Sequence, residues 1–168
     1  PGAVTAGELI VVVSRVDLWQ SHLKKMSDNM TDNGRKPFKG PVRDYYEEFI
    51  PMLMKTDRLG FHNFKRRLMF WYRSRSEPTV HEPVTRADHR IYGQIQASLA
   101  AENLILSLAA HGYECCPMSG VDKRGISALL DLPSTAEVTM VICAGKGAPD
   151  GLLSPRARLP FHELVKEV

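Results

Sequence analysis

The chain has 168 residues, of which 43% are hydrophobic and 24% are charged, so it holds about one domain of material and can bury a core. The 22 Lys and Arg against 19 Asp and Glu leave a net charge of only +3, which argues against a nucleic-acid-binding protein. With no apolar run of about 18 residues and no charged-then-apolar leader, we expect no membrane partner, no secretion and a cytoplasmic location.

The first predicted element is an interior strand. Glu8 to Ser14 form a continuous β-branched apolar run, and a chain that starts almost at once with such a strand is expected to be part of a longer protein. Asp17 to Lys25 predicts the start of a helix. Residues 27–41 combine Asn, Asp, Gly and Pro with charges, which predicts a flexible loop. Arg43 to Met54 then predicts an amphipathic helix.

The next stretch, Phe61 to Tyr72, interleaves aromatic residues with Lys65, Arg66 and Arg67. Such a mixture also occurs on nucleic-acid-binding surfaces. Its apolar residues have helical spacing, however, which favours a core-facing or dimer-facing helix with a charged outer side. The residues of this predicted apolar face are Phe61, Phe64, Leu68 and Trp71.

A long helix is predicted from Arg86 to Ala110. Thr85 and Asp88 form a start resembling a capping box, and Gly112 supplies a left-handed stop. The helix carries two apolar stripes, which predicts burial on more than one side, within a domain or between subunits. The stripes consist of Ile91, Ile95, Leu99 and Leu106, and of Ala97, Ala101, Leu104 and Leu108.

The remaining chain predicts a loop from Tyr113 to Val121, a helix from Asp122 to Leu130 and a strand from Glu137 to Ala144. The Gly145-Lys146-Gly147 tripeptide is compatible in composition with a phosphate-binding loop. The G-x-x-x-x-G-K-[ST] spacing of such loops is missing, however, which argues against one.

The cysteines and histidines predict neither a disulfide framework nor a metal site. Cys115 and Cys116 are adjacent and Cys143 lies in the last apolar run, which argues against a disulfide framework. We expect Cys115 and Cys116 to be structural, because no neighbour in sequence is a cationic residue or a histidine that would activate a thiol. The six histidines show no HExxH spacing.

From Gln96 onwards the order of the segments is informative. An alanine-rich helix is followed by Pro117-Met118-Ser119-Gly120, by Leu132-Pro133, by a strand ending in Gly145 and by Arg156-Ala157-Arg158-Leu159-Pro160. This order and spacing resembles the C-terminal part of the FMN-dependent nitroreductase family. The resemblance implies an α+β fold with a mixed β-sheet flanked by helices and a long central helix in the middle of a homodimer.

The resemblance also implies a flavin site. A proline followed by a small residue and a glycine exposes consecutive amides in a loop, and the resemblance assigns Pro117, Met118, Ser119 and Gly120 to the flavin ring. Arg156 and Arg158 alternate, so both share one face of an extended segment, and the resemblance assigns them to the FMN phosphate. An ordinary turn and a solvated Arg pair remain the alternatives.

One part of the family pattern is missing. The N-terminal Arg-Arg-Ser-x-Arg and Asn-x-Gln-Pro-Trp segments do not occur before the first strand, and Arg73-Ser74-Arg75-Ser76 lies too late in the chain to replace them. We therefore expect roughly half of the flavin site on polypeptide outside this chain.

The sequence thus predicts that residues 1–168 form a single nitroreductase-like domain of a homodimeric oxidoreductase. It would take hydride from NAD(P)H onto FMN and reduce a nitroaromatic, quinone or related small molecule by a ping-pong mechanism, without a catalytic side chain. The alternatives are a non-catalytic flavin-binding or dimerising module and a dehalogenating or flavin-fragmenting relative.

Overall fold

The computed structural model describes residues 2–56, 60–151, 154–155 and 157–167. The strands in these ranges are β1 (Glu8–Ser14), β2 (Glu114–Met118) and β3 (Glu137–Gly145). The helices are α1 (Gly2–Thr5), α2 (Trp19–Met30), α3 (Pro41–Asp44), α4 (Ile50–Met54), α5 (Phe61–Arg73), α6 (Arg86–Ala110), α7 (Lys123–Leu129) and α8 (Phe161–Leu164). A 3-10 turn precedes α2, and a π-helical turn joins α3 to α4. The predicted α+β class with a long helix is confirmed.

The three strands form one antiparallel sheet in the order β1-β3-β2. The apolar strand β3 is central, and Val138, Val141 and Ile142 are buried there. The pairing shifts at Thr139, which bulges between the partners of Val12 and Val13. No parallel pair occurs within the described ranges, so the mixed sheet implied by the resemblance is not found in this part of the chain.

The long helix α6 begins and ends as its sequence predicts. The Thr85 hydroxyl accepts from the Asp88 amide at 3.2 Å, and the Asp88 carboxylate accepts from the Thr85 amide at 2.7 Å, which completes a capping box. At the other end Gly112 has φ +76°, and the Tyr113 amide donates to the Leu108 carbonyl at 3.0 Å. Local sequence signals therefore fix both ends of α6.

A glycine lets α6 approach the end of β1 closely. A Cβ placed on Gly93 would lie 2.3 Å from Val16 Cγ2 and 2.5 Å from Ser14 Oγ. Any side chain at this position must displace the Val16 and Ser14 side chains or move the helix, and dense packing makes either change costly.

We therefore expect Gly93→Val to destabilise the protein, by about 1–3 kcal/mol for the overpacking. The control is Gln96→Val, which places the same side chain on an exposed position of α6. Since valine has a higher helix propensity than glycine and a lower one than glutamine, propensity alone would favour Gly93→Val over this control. Urea unfolding of both variants gives the comparison. Equal unfolding free energies would show that the contact at Gly93 is not a packing constraint.

Several predicted boundaries shift. Helix α2 continues to Met30, so the first four residues of the predicted loop 27–41 are helical, and the mobility of the rest stays a prediction. The predicted loop from Tyr113 to Val121 is wrong in its first half, because Glu114–Met118 forms strand β2. The structure confirms helices at α5 and α7 and strands at β1 and β3.

The buried side of α5 differs from the predicted one. The apolar face of Phe61, Phe64, Leu68 and Trp71 is 52–68% exposed, so it does not face the core of the described chain. Arg66 and Phe70 are buried instead. The prediction that Arg66 lies on the charged outer side is therefore wrong, while contact of the apolar face with a second subunit stays a prediction.

Arg66 is held by main-chain oxygens. Its guanidinium is close to the end of α4, where helix carbonyls have no partner within the helix, and a cation is favourable there. It donates to the carbonyl oxygens of Met52 (2.9 Å), Leu53, Lys55 (3.0 Å) and Val84 (3.2 Å). Arg66 therefore ties α5 to the end of α4 and to the segment before α6.

His89 of α6 joins the same cluster. It is 4% exposed, with Nδ1 2.8 Å from the Thr85 carbonyl oxygen and Nε2 2.7 Å from the Leu53 carbonyl oxygen. The Leu53 carbonyl thus lies between a side chain of α5 and a side chain of α6. This cluster, together with the capping box, positions the start of α6 against α4.

The chain exposes more surface than a compact monomer. Its accessible surface is 13398 Å², whereas a folded monomer of this mass exposes about 8,300 Å². Part of the excess is apolar, since the α6 stripe of Ile91, Ile95, Leu99 and Leu106 is 52–61% exposed. Contiguous apolar faces of this kind are typical of surfaces that contact another polypeptide.

Within the described ranges, none of the helices combines the length and the apolarity needed to cross a membrane.

Candidate functional site

The segment predicted to contact the flavin ring begins in a strand. Pro117 lies opposite Ile142 and Met118 opposite Val141 in the β2–β3 ladder, so Pro117 and Met118 are not loop residues as predicted. β2 is an edge strand, and proline is tolerated at an edge because one side of the strand has no partner for its amides. The proline therefore stiffens the strand end that leads into the loop.

Ser119 and Gly120 form the loop itself. Both are exposed, and within the described part of the chain no acceptor is hydrogen-bonded to either amide. A Cβ placed on Gly120 would meet no heavy atom within 4 Å. Two consecutive amides are thus free to donate to a ligand or to water, and the backbone there is open to close approach.

Helix α7 fixes where this loop ends. Asp122 caps it by accepting a hydrogen bond from the Gly125 amide at 3.0 Å. A Cβ placed on Gly125 would lie 2.4 Å from Asp122 Oδ2, so the glycine leaves room for the cap. The carboxylate is engaged by its own helix, and the free donors of the loop remain those of Ser119 and Gly120.

The two predicted phosphate-binding arginines are only partly described. Arg156 lies outside the described residues. Arg158 is exposed, and its Nη1 donates to the Ala157 carbonyl at 2.9 Å. No hydrogen bond or ion pair connects Arg158 to residues 117–120 in the described part of the chain. Among the described residues, Arg158 therefore forms no polar contact with the predicted ring-binding segment, and the place of Arg156 stays a prediction.

Two cavities lie away from the described residues predicted to bind the flavin. One of about 820 Å³ is lined by Trp19, Arg90 and Thr135 among others. A second of about 650 Å³ is lined by residues that include Phe49 and Phe70. Neither is lined by residues 117–120 or by Arg158. The candidate flavin contact is consequently an open edge of the chain.

The sheet, the long helix and the loop after β2 together define an α+β chain with two exposed, unpaired backbone amides next to the edge strand. The chain belongs to the nitroreductase family, because the model of the Nitroreductase family matches residues 6–146. This match includes Pro117 to Gly120 and ends before Arg156 and Arg158.

Individual relatives agree with this assignment. MhqN of Bacillus subtilis (strain 168), a candidate NAD(P)H nitroreductase, is 33% identical over 70 residues, which cover 42% of this chain and 34% of MhqN. A candidate NAD(P)H:FMN oxidoreductase from Staphylococcus epidermidis ATCC 12228 has a TM-score of 0.66 at 17% identity, covering 99% of this chain and 64% of that one. A candidate nitroreductase from Exiguobacterium sibiricum 255-15 in complex with FMN has a TM-score of 0.59 at 16% identity, with 99% and 65% coverage.

The matches cover unequal parts of the proteins compared. The chain spans about a third of the length of its curated relative and about two thirds of the length of the two solved structures. At these identities the structural likeness shows the fold.

Proposed function

We propose that this protein is an FMN-dependent oxidoreductase that takes reducing equivalents from NAD(P)H. The observation that carries the proposal is the pair of free amides at Ser119 and Gly120 in a chain of the nitroreductase family. The relatives' names support the cofactor and the reductant, since one structure contains FMN and MhqN is a candidate NAD(P)H nitroreductase.

The residues present fit one edge of a flavin. The N5 and O4 atoms of the ring are acceptors that gain electron density on reduction, and preorganised amide donors stabilise such charge. The Ser119 and Gly120 amides would hold these atoms, and the open face at Gly120 admits the ring without a side chain in the way. When bound there, FMN would supply the hydride-transfer chemistry between the nicotinamide and the acceptor.

The chain's own contribution is binding and orientation. Pro117 and Met118 keep the strand end rigid, because they pair with the buried centre of β3. Asp122 fixes the far end of the loop through the α7 cap. Arg158, together with Arg156, is proposed to pair with the phosphate through charge-assisted hydrogen bonds. No side chain is assigned as a nucleophile or a general base.

The acceptor and the assembly belong to the same proposal. We propose a nitroaromatic, a quinone or a related small molecule as the acceptor, reduced in a ping-pong cycle. We also propose a homodimer, because the apolar stripe of α6 is exposed in the single chain and exposed apolar surfaces of this kind are typical of subunit interfaces. A molar mass of 18.8 kDa measured by light scattering for the dissolved protein would contradict the dimer.

The flavin absorption band tests both the proposed cofactor and the proposed activity. The purified protein with FMN should keep a yellow absorption band through gel filtration, and NADH or NADPH should bleach that band. Protein that retains no flavin would contradict the proposal. Flavin that stays bound but is not reduced by either nicotinamide would favour a non-catalytic flavin-binding module.

Substitutions in the loop test its role. We expect Gly120→Val to lose FMN or to slow its reduction, because a branched side chain would occupy the open face that the ring needs. Ser119→Ala is the matched control and should be nearly silent, since its contact is through the backbone. Stopped-flow reduction by NAD(P)H and the FMN content of both variants give the answer.

The structure indicates that Gly120→Val can change flavin binding without disturbing the fold. Gly120 has no positive φ, and a Cβ there meets nothing within 4 Å. The fold should therefore tolerate Gly120→Val, with an unfolding free energy within about 0.5 kcal/mol of the original. A Gly120→Val variant with unchanged FMN content and reduction rate would show that the loop is ordinary surface.

A further inference from the structure

Two cysteines face each other across the β2–β3 ladder. Cys116 lies directly opposite Cys143, and directly opposed residues of an antiparallel pair have side chains on the same face of the sheet. Their Cα atoms are about 4.5 or 5.5 Å apart, depending on the type of pair. Both separations lie in the range of about 4.4–6.8 Å that a disulfide spans.

The two thiols have different surroundings. Cys143 is 5% exposed, and its thiol donates to Met118 Sδ at 3.9 Å. Met118 follows Cys116 by two residues on β2, so it lies on the same face as Cys116. Cys116 itself is exposed. An oxidant can thus reach one thiol of the pair, while the other is held within the sheet face beside it.

The third cysteine is separated from this pair. Cys115 lies opposite Ala144, so its side chain is on the other face of the sheet. Burial raises the pKa of the Cys115 thiol, and the charge of Glu114 raises it further. A smaller thiolate fraction makes Cys115 a poorer nucleophile than an unperturbed thiol.

We propose that Cys116 and Cys143 form a redox-modification site that takes a hydroperoxide as oxidant and closes a reversible cross-strand disulfide. First the Cys116 thiolate attacks a peroxide oxygen, forming an S–O bond and breaking the O–O bond, and the leaving hydroxide becomes water. Then the Cys143 sulfur attacks the Cys116 sulfur, forming the S–S bond while the hydroxyl leaves as water. In total two thiols lose two hydrogens and one hydrogen peroxide becomes two waters.

The disulfide would restrain the edge strand β2. β2 is held by β3 on one side only, and a covalent link at Cys116 would fix it three residues before Ser119. Reduction by a small dithiol restores both thiols. The proposal does not depend on flavin binding, because both cysteines and their pairing belong to the described chain.

Peptide mapping tests the proposal directly. The purified protein is treated with hydrogen peroxide and unfolded in denaturant, its remaining thiols are alkylated, and its peptides are analysed by mass spectrometry without reduction. Cys115→Ser serves as the parent, because it removes the ambiguity of adjacent cysteines in one peptide. We expect a crosslinked Cys116–Cys143 peptide within one chain, lighter by two hydrogens and lost after treatment with dithiothreitol.

The controls separate the outcomes. The Cys115→Ser, Cys116→Ser double variant should form no crosslink and should keep an alkylatable Cys143. If Cys116 is consumed while Cys143 stays alkylatable, or if the crosslink joins two chains, the proposed pair is wrong. In the original protein a bond from Cys115 to Cys143 would overturn it equally.

Discussion

Arg66→Met should lower the free energy of unfolding by at least about 1.5–3 kcal/mol, the contribution typical of hydrogen bonds that involve a charged group. Arg66 is 4% exposed, and its guanidinium donates to carbonyl oxygens of Met52, Lys55 and Val84. Methionine fills a similar volume but donates no hydrogen bond, so these oxygens lose a charged donor. Urea unfolding followed by circular dichroism measures the change.

Arg67→Met is the matched control for this prediction. Arg67 is the next residue of the same helix and is exposed, so its replacement should change the unfolding free energy by no more than about 0.5 kcal/mol. If both variants unfold at the same urea concentration, the buried cluster does not stabilise the contact between α4, α5 and α6.

Arg158→Ala should weaken FMN binding by roughly ten- to a hundredfold, because a charge-assisted hydrogen bond contributes about 1.5–3 kcal/mol. Nothing else in the described chain holds this side chain apart from the Ala157 carbonyl, so the fold should be unaffected. Titration of the protein with FMN, followed by flavin fluorescence, gives the dissociation constant. The prediction depends on the proposed flavin site.

Riboflavin provides the control for the phosphate. It carries the same ring without the phosphate group, so Arg158→Ala should bind riboflavin as well as the original protein does. Equal losses for FMN and riboflavin would place Arg158 elsewhere than at the phosphate. An unchanged FMN dissociation constant, also with Arg156→Ala added, would remove both arginines from the site.

The local elements of this fold could be predicted from the sequence. The β-branched run at Glu8–Ser14, the capping box before α6 and the left-handed stop at Gly112 all act within a few residues. Hydrogen bonds and dihedral preferences of this range depend little on the rest of the chain. The order of segments from Gln96 onwards likewise predicted the family that the comparison established.

The position of a residue relative to distant segments could not be predicted in this way. Helical spacing on α5 indicated an apolar face, but the fold buries Arg66, whose main-chain acceptors are 11 to 18 residues away along the chain. Pro117 was expected in a loop because a proline followed by a small residue and a glycine is typical of a loop that exposes its amides. It lies in a strand because β2 is at the edge of the sheet, and the sequence of β2 does not encode its place in the strand order.

The sequence by itself therefore determined the α+β class, the long helix and the order of the elements, and it suggested the residues that are proposed to contact a flavin. Only the tertiary structure decided that the Ser119 and Gly120 amides are free, that Arg66 and His89 meet at one carbonyl, and that Cys116 opposes Cys143. The physical reason is the distance along the chain over which each kind of interaction acts. Propensities and caps act between neighbours, whereas strand register and the burial of a charge depend on contacts between segments far apart in the chain.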